Sequence, residues 1–554
     1  MKIKVSELIV RYLERLGIKH IFGIPGAHIL PVYDALYAAD IETILTKHEQ
    51  GAAFMAAGYT RASGRIGACI STAGPGATNL ITGVASAYAD KQPMLVITGE
   101  TSTHIYGKGG LQESSGEGGS IDQVMLFKGI TRYNKIIERT DYLPQVLTQI
   151  TKILLAPNSG PVLLSLPFNV QQELVDASIL DGIKTERHTH AIRGNSNAID
   201  ALAEMIVQAQ RPVILAGFGC IRSGAQQVLA RLSETLNIPV ATSLKAKGVI
   251  DERAPLSLGS LGVTSSGEAH EYIVERADLI LVLGAGFNER TSYVWEPSLL
   301  QSRRVLQIDN DQEQLEKVFD ADIAFCGDIR ETLDGILGYL ERHGIEHSSA
   351  SGPQAEIAEL KASGGAKRIL QTGFELVEAF FAQLERHFPR DAVVFDDNII
   401  YAQNLFHVAA GNHYHPNSGI SSLGHAVPAA IGAHFALELP TFAVLGDGGF
   451  QMCAMELMTA VNYRKQLNVV VFNNSSMGLI RKNQVQQYDG RLISCDFVNP
   501  DYAYLAKAFG IAYYKVAREA DLESLFAQAD LHNGINLIEI LIDKNAFPNY
   551  RSRR

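Results

Sequence analysis

Short apolar runs rich in β-formers alternate with helical stretches along the whole chain, and no other feature of the sequence restricts the fold as tightly. They include "ACIST", "PMLVITG", "PVILAG", "LILVLGAG", "TFAVLGDGG" and "NVVVFNN". Strands that are apolar throughout are buried on both faces, and strands separated by helices pair in parallel beneath them. The expected fold class is therefore α/β, built from doubly wound parallel sheets. A length of 554 residues exceeds what one hydrophobic core serves. Two polar stretches, "DGIKTERHTHAIRGN" around 181–195 and "HSSASGPQAEIAELKASGGAKR" around 347–368, read as linkers. Three domains follow, at about 1–180, 190–345 and 365–554.

Composition narrows the function by exclusion. The formal charge is −11 and basic residues form no long block, which argues against nucleic acid or an anionic membrane as the main partner. Cys69, Cys220, Cys326, Cys453 and Cys495 are scattered and never spaced C-x-x-C, so neither a disulfide framework nor a zinc site is expected. The opening segment "MKIKVSELIVRYLERLG" is an amphipathic helix rather than a signal sequence, and no apolar run is long enough to span a membrane. A cytoplasmic location is expected.

The first and third domains share a layout. In "ACISTAGPGATNLITGVASAYADKQPMLVITG" and "FAVLGDGGFQMCAMELMTAVNYRKQLNVVVFNN" a buried strand meets a glycine turn, a helix follows, and a second buried strand returns. Gly446, Gly448 and Gly449 let the backbone approach a ligand at a helix start, where free N–H groups suit a phosphate. The run is not a P-loop, since the glycine-to-lysine spacing is absent. It offers Asp447 instead. A carboxylate beside a phosphate is reasonable if a hard cation lies between them, and Mg2+ takes oxygen ligands while keeping substrate phosphates in its shell. From the next strand end, Asn474 offers an amide oxygen and Ser476 a main-chain carbonyl.

Strand, GDGG, helix, strand and NN in this order resemble the thiamine diphosphate-binding signature. The resemblance covers nearly the whole chain and is closest to the acetolactate synthase (acetohydroxyacid synthase large subunit) branch, through "FGIPGAHILPVYDAL", "KHEQGAAFMAAGYTRASG", "STAGPGATNLITGVASAYAD", "SLGSLG", "PAAIGA" and "GDGGFQM". It implies a pyrimidine-binding domain, a central domain and a diphosphate-binding domain. It also implies cofactor sites shared between two subunits, hence a homodimer at minimum and a homotetramer as the expected assembly. Gly446–Gly449 and Met477 then fall in the cofactor site, and Asp447, Asn474 and Ser476 hold the metal. FAD or an adenine nucleotide in the central domain is left open.

The same resemblance assigns the catalytic groups. Thiamine diphosphate acts through a carbanion on its thiazolium ring, formed by loss of a weakly acidic proton. Glu49 in "KHEQGAAF" matches the glutamate that meets the aminopyrimidine ring, and Leu423 in "GISSLGHAV" the apolar wedge that bends the cofactor. Gln112 lines up with a glutamine that reaches the active centre in carboligating relatives, although its loop "SSGEGGS" is longer than usual. Arg290 in "GAGFNERTSYVW" matches an arginine that binds the carboxylate of a second substrate. His28 in "PGAHILPVYD" departs from the synthases and resembles benzaldehyde lyase-like carboligases; a histidine there can shuttle protons at neutral pH. His48 and His425 are weaker candidates of that kind.

Further departures bear on specificity. Asn483 stands where many synthases have tryptophan, and Ile399 and Ile400 where they have a Gln-His pair. No adjacent His-His pair occurs, which argues against simple aldehyde release. The expected activity is decarboxylation of a 2-oxo acid, pyruvate above all, with carboligation to a second carbonyl compound. The alternative is an acyloin or 2-hydroxyacyl lyase acting on aldehydes. A nicotinamide oxidoreductase is disfavoured, because "LVLGAGFNER" and "LAGFGCIRSG" lack the third small residue of the dinucleotide fingerprint.

Overall fold

The computed structural model describes residues 1–185, 196–345, 352–363, 369–370, 372–409 and 411–550. Three six-stranded sheets organise it, and every strand pair in them is parallel. Across the first sheet run Glu42–Leu45, His20–Gly23, Gly67–Ser71, Met94–Glu100, Pro161–Pro167 and Tyr133–Ile136. Across the third run His413–Pro416, Val393–Asp396, Thr441–Gly446, Leu467–Asn473, Ile535–Leu541 and Ala512–Val516. Ranked by chain position, both read 2-1-3-4-6-5. The shared layout seen in the sequence is thus one topology used twice.

The middle sheet differs. Its order, Ser257–Leu261, Val240–Ser243, Pro212–Ala216, Leu279–Leu283, Arg304–Asp309 and Ile323–Cys326, ranks as 3-2-1-4-5-6, that of dinucleotide-binding sheets. The loops after its first and fourth strands pack on each other: a Cβ on Gly217 would come within 2.1 Å of the Gly284 carbonyl oxygen. Loop packing therefore accounts for these glycines of "LAGFG" and "LGAG".

Most of the linker reading around 181–195 lies outside the described residues. The stretch around 347–368 contains a helix, Gly352–Ala362, whose Ile357 and Leu360 are buried against the central domain. Glu356 on that helix pairs with Arg211 and Arg276. The stretch is polar overall, and two apolar residues at i and i+3 suffice to dock its helix.

One continuous core joins the first and third domains. Its centre is the crossing of helix Glu49–Ser63 with helix Ala426–Leu437, both rich in alanine and glycine. The backbones approach so closely that a Cβ on Gly58 would lie 2.0 Å from Ala429 O, and one on Gly432 2.0 Å from Met55 O. All three domains meet at Asp90. Its carboxylate pairs with Arg61 of the first domain and with Lys245 of the central domain (2.6 Å), and it accepts from Gly419 N of the third (2.9 Å).

Candidate active site

Strand Thr441–Gly446 runs straight into helix Asp447–Cys453, and its neighbour Leu467–Asn473 ends in register beside it, Gly446 opposite Phe472. Asp447 and the asparagine pair therefore emerge side by side at the carboxyl edge of the sheet, next to the point where strand order reverses. Asp447 is 1% exposed. Its Oδ2 accepts from Ser475 N (2.6 Å) and Asn499 Nδ2 (2.8 Å), and its Oδ1 from Gly448 N (3.0 Å). Burial raises its pKa, these N–H donors oppose the rise, and among the described residues no basic side chain pairs with it.

The two asparagines divide the work. Asn473 is structural: Oδ1 accepts from Ser475 N (3.1 Å) and Asn499 Nδ2 (2.9 Å), while Nδ2 donates to Glu539 Oε1 (2.5 Å). Among the described residues Asn474 Oδ1 accepts only from Ser476 N, at 3.1 Å, which shapes the turn that presents the Ser476 carbonyl. A buried carboxylate without a basic partner, an amide oxygen and a main-chain carbonyl form a hard-oxygen set that suits Mg2+ with phosphate oxygens completing the shell. Met477 packs on Gly448: a Cβ there would lie 2.6 Å from its sulfur.

Leu423 is brought to this turn by a residue not picked out from the sequence. Asp397, at the end of "AVVFDD", accepts from Gly424 N (2.6 Å), His425 N (3.1 Å) and Ala426 N (3.0 Å), pinning the loop that carries Leu423. A Cβ on Gly449 would lie 3.1 Å from Asp397 Oδ2 and 3.9 Å from Leu423 Cβ, so the fourth glycine-turn position admits this loop. Burial pushes the Asp397 carboxyl up to about 7. His425 is wholly buried between Phe54 and Phe395 and held neutral by that burial, which makes it a packing residue.

The corresponding edge of the first sheet carries the other group. Glu49 opens helix Glu49–Ser63, half-buried, with Oε2 accepting from Asn79 Nδ2 at 2.9 Å. His48 caps that helix, its Nδ1 accepting from Gln50 N. His28, 9% exposed, places Nδ1 3.3 Å from Gln112 Oε1; Thr72 Oγ1 also donates to that oxygen and accepts from His28 N. The amide oxygen can only accept, so this contact is a hydrogen bond in the tautomer that has its proton on Nδ1, the one that leaves Nε2 as an acceptor. Gln112 sits at φ 55°, a costly conformation for a residue with a side chain and one that concentrates at functional sites. Its loop is tied down: Glu113 accepts from Gly107 N, Gly109 N and Gly110 N, and Glu100 accepts from Ser114 N. The long glycine-rich stretch is thus organised around a buried carboxylate.

Arg290 reaches from the central domain to the third, where Nη1 donates to Asn398 Oδ1 (3.3 Å) and Asn398 Nδ2 donates to Ser421 O (3.4 Å), two residues before Leu423. The guanidinium is otherwise exposed.

Three family models match the chain in order: the thiamine pyrophosphate enzyme N-terminal TPP binding domain over residues 3–121, the central domain over 199–336 and the C-terminal TPP binding domain over 397–540. The chain is 32% identical to the probable acetolactate synthase large subunit of Methanocaldococcus jannaschii, over 98% of its own length and 92% of that protein's. It is 30% identical to acetolactate synthase isozyme 3 large subunit of Escherichia coli, over 97% and 94%. The chain belongs to the thiamine pyrophosphate enzymes.

In this thiamine pyrophosphate enzyme the N-terminal binding domain holds Glu49, His28 and Gln112, and the C-terminal one holds Leu423, Asp447, Asn474 and Ser476. His28 and Gln112 touch, as do Asp447 and the asparagine loop. Glu49 and Asp447 share no hydrogen bond among the described residues; each has its own partners, Asn79 for one and Asn499 for the other. Asp397 follows the same signal as Asp447, a carboxylate at the end of an apolar run. Asn499, in "DFVNPDY", gives no such signal.

Proposed function

We propose that this enzyme uses thiamine diphosphate and Mg2+ to decarboxylate pyruvate and join the remaining two-carbon unit to a second 2-oxo acid, as an acetolactate synthase does. The names of the relatives support the direction of the reaction. The observation that carries the choice of acceptor is Arg290, an exposed guanidinium with one hydrogen bond among the described residues, fixed by Asn398 to the loop that bears Leu423. Such a group can grip a planar carboxylate in two-pronged fashion, and a neutral aldehyde offers it nothing.

Bound thiamine diphosphate supplies a nucleophilic thiazolium carbon. The chain's own residues do the rest. Asp447, Asn474 and the Ser476 carbonyl would hold Mg2+ against the diphosphate, and Leu423 would press the cofactor into its bent form. Glu49 would exchange a proton with the aminopyrimidine. His28 Nε2 would move the proton of the newly formed alcohol, with Gln112 and Thr72 fixing the ring. Sites formed between two copies would account for Glu49 and Asp447 having separate hydrogen-bond partners within one chain. Apolar residues near the Asp447 loop, Met452, Met455, Ile493 and Val498, are exposed in the single chain and suit a subunit contact.

The partly buried His28–Gln112 contact favours one other reading, cleavage or formation of acyloins from neutral aldehydes. Incubation with pyruvate and separately with an acyloin, followed by product identification, tests both. A hydroxy-oxo acid from pyruvate supports the synthase, and aldehydes released from the acyloin support the lyase. A visible absorbance spectrum of the purified protein decides whether the central domain carries flavin.

A further inference from the structure

Glu456 is a buried charged group to which the chemistry above gives no task. It closes the turn Ala454–Glu456 directly after helix Asp447–Cys453, is 4% exposed, and sends its side chain out of the third domain into the first. Oε1 accepts from His48 N (2.9 Å) and Lys47 N (3.1 Å); Oε2 accepts from Thr459 Oγ1 (2.8 Å) and lies 3.3 Å from Lys47 N. The approach leaves no space for a side chain at Gly51, where a Cβ would lie 2.2 Å from Oε1. Lys47 and His48 immediately precede Glu49.

The backbone that aims Glu49 is therefore held from outside its own domain. On one side the helix fixes Glu49; on the other, two N–H groups converge on one carboxylate. Both partners donate to Oε1, and Lys47 N and Thr459 Oγ1 also donate toward Oε2, so a carboxylate satisfies the whole set, whereas an amide with its oxygen at Oε1 would set its own N–H against the Lys47 N–H from the Oε2 position. We propose that Glu456 is a positioning residue for Glu49, holding the Lys47–His48 backbone so that the Glu49 side chain reaches the pyrimidine end of the cofactor. The catalytic half of this inference rests on the role proposed above for Glu49. A consequence is that the segment bearing Asp447 and the turn bearing Glu49 move together within one chain.

The test is Glu456→Gln with two readouts. In the cofactor-free protein, amide hydrogen exchange at Lys47 and His48 should quicken at least tenfold while the rest of helix Glu49–Ser63 keeps its protection. With thiamine diphosphate and magnesium added, proton exchange at the thiazolium carbon should slow about tenfold while cofactor affinity, measured by calorimetry, stays within threefold. Unchanged protection at Lys47 and His48 overturns the anchoring, whatever the cofactor. Faster amide exchange with a native rate at the thiazolium carbon overturns the positioning role. A parent protein that binds no thiamine diphosphate refutes the functional reading itself, which the first readout does not depend on. If Glu456→Gln does not fold, Thr459→Val, which removes only the donor to Oε2, should shift both rates the same way by about threefold, and no shift there overturns the proposal.

Discussion

One amide bridges two strand ends: Asn499 Nδ2 lies 2.8 Å from Asp447 Oδ2 and 2.9 Å from Asn473 Oδ1. The carboxylate and the asparagine loop are thereby held at a fixed separation before any ligand arrives. Asn499→Ala removes a hydrogen bond to a charged group, worth about 1.5–3 kcal/mol. It should weaken magnesium-dependent cofactor binding by tenfold or more in calorimetry, whereas Asp447→Ala should abolish it. Native affinity in Asn499→Ala would show that the metal site does not depend on this bridge.

Arg290 and His28 separate the two substrate classes. If the acceptor is a 2-oxo acid, Arg290→Ala loses a charge-assisted contact worth roughly 2–3 kcal/mol in the transition state for carboligation and leaves carbon dioxide release intact. If neutral aldehydes are the substrates, His28→Ala is the damaging change. Carbon dioxide and carboligation product measured separately in each variant distinguish them. Parental yields of hydroxy-oxo acid from Arg290→Ala would dismiss the synthase reading.

Glu100 gives a pH dependence of known sign. Burial pushes its carboxyl from about 4.5 up to about 7, so the folded state binds a proton more tightly than the unfolded chain. Its contribution to stability is full below the unfolded value and is lost as pH rises through about 7. Glu100→Gln lacks that titration. Its stability relative to the parent should therefore rise between pH 5 and pH 8, by on the order of 1–3 kcal/mol. Denaturant titrations at the two pH values check this, and a constant difference would rule it out.

Asp90 is the counter-charge for Arg61 and Lys245 at the meeting point of three domains. Asp90→Ala leaves the buried Arg61 guanidinium and the partly buried Lys245 amine without their carboxylate and should cost on the order of 3 kcal/mol. Burial lowers the Lys245 pKa to about 8, so raising the pH toward 9 should recover part of the loss by neutralising that amine. A parental denaturation midpoint in Asp90→Ala would mean that the junction is bridged in some other way.

Sequence alone carried a long way here. Fully apolar strands separated by helices allow little besides doubly wound parallel sheets, since both faces of each strand must be covered. The duplicated βαβ layout was legible because strand, glycine turn and helix are local patterns, and so was the placing of Asp447 at a strand end. The resemblance to thiamine diphosphate-dependent enzymes followed from those same local segments. The helix within 347–368 was missed because its docking face is only two residues wide, too narrow a signal against a polar background.

What only the tertiary structure decided concerns residues that meet from distant parts of the chain. Asn499 reaches Asp447 across 52 positions, Arg290 reaches Asn398 across 108, and Glu456 reaches His48 across 408. No periodicity or spacing encodes such pairs, because loop closure between remote segments is set by the packing of whole sheets and not by local preference. The chain's sequence specified which groups stand at the strand ends. The crossing of helices Glu49–Ser63 and Ala426–Leu437, close enough to require glycine, determined which of those groups are held together.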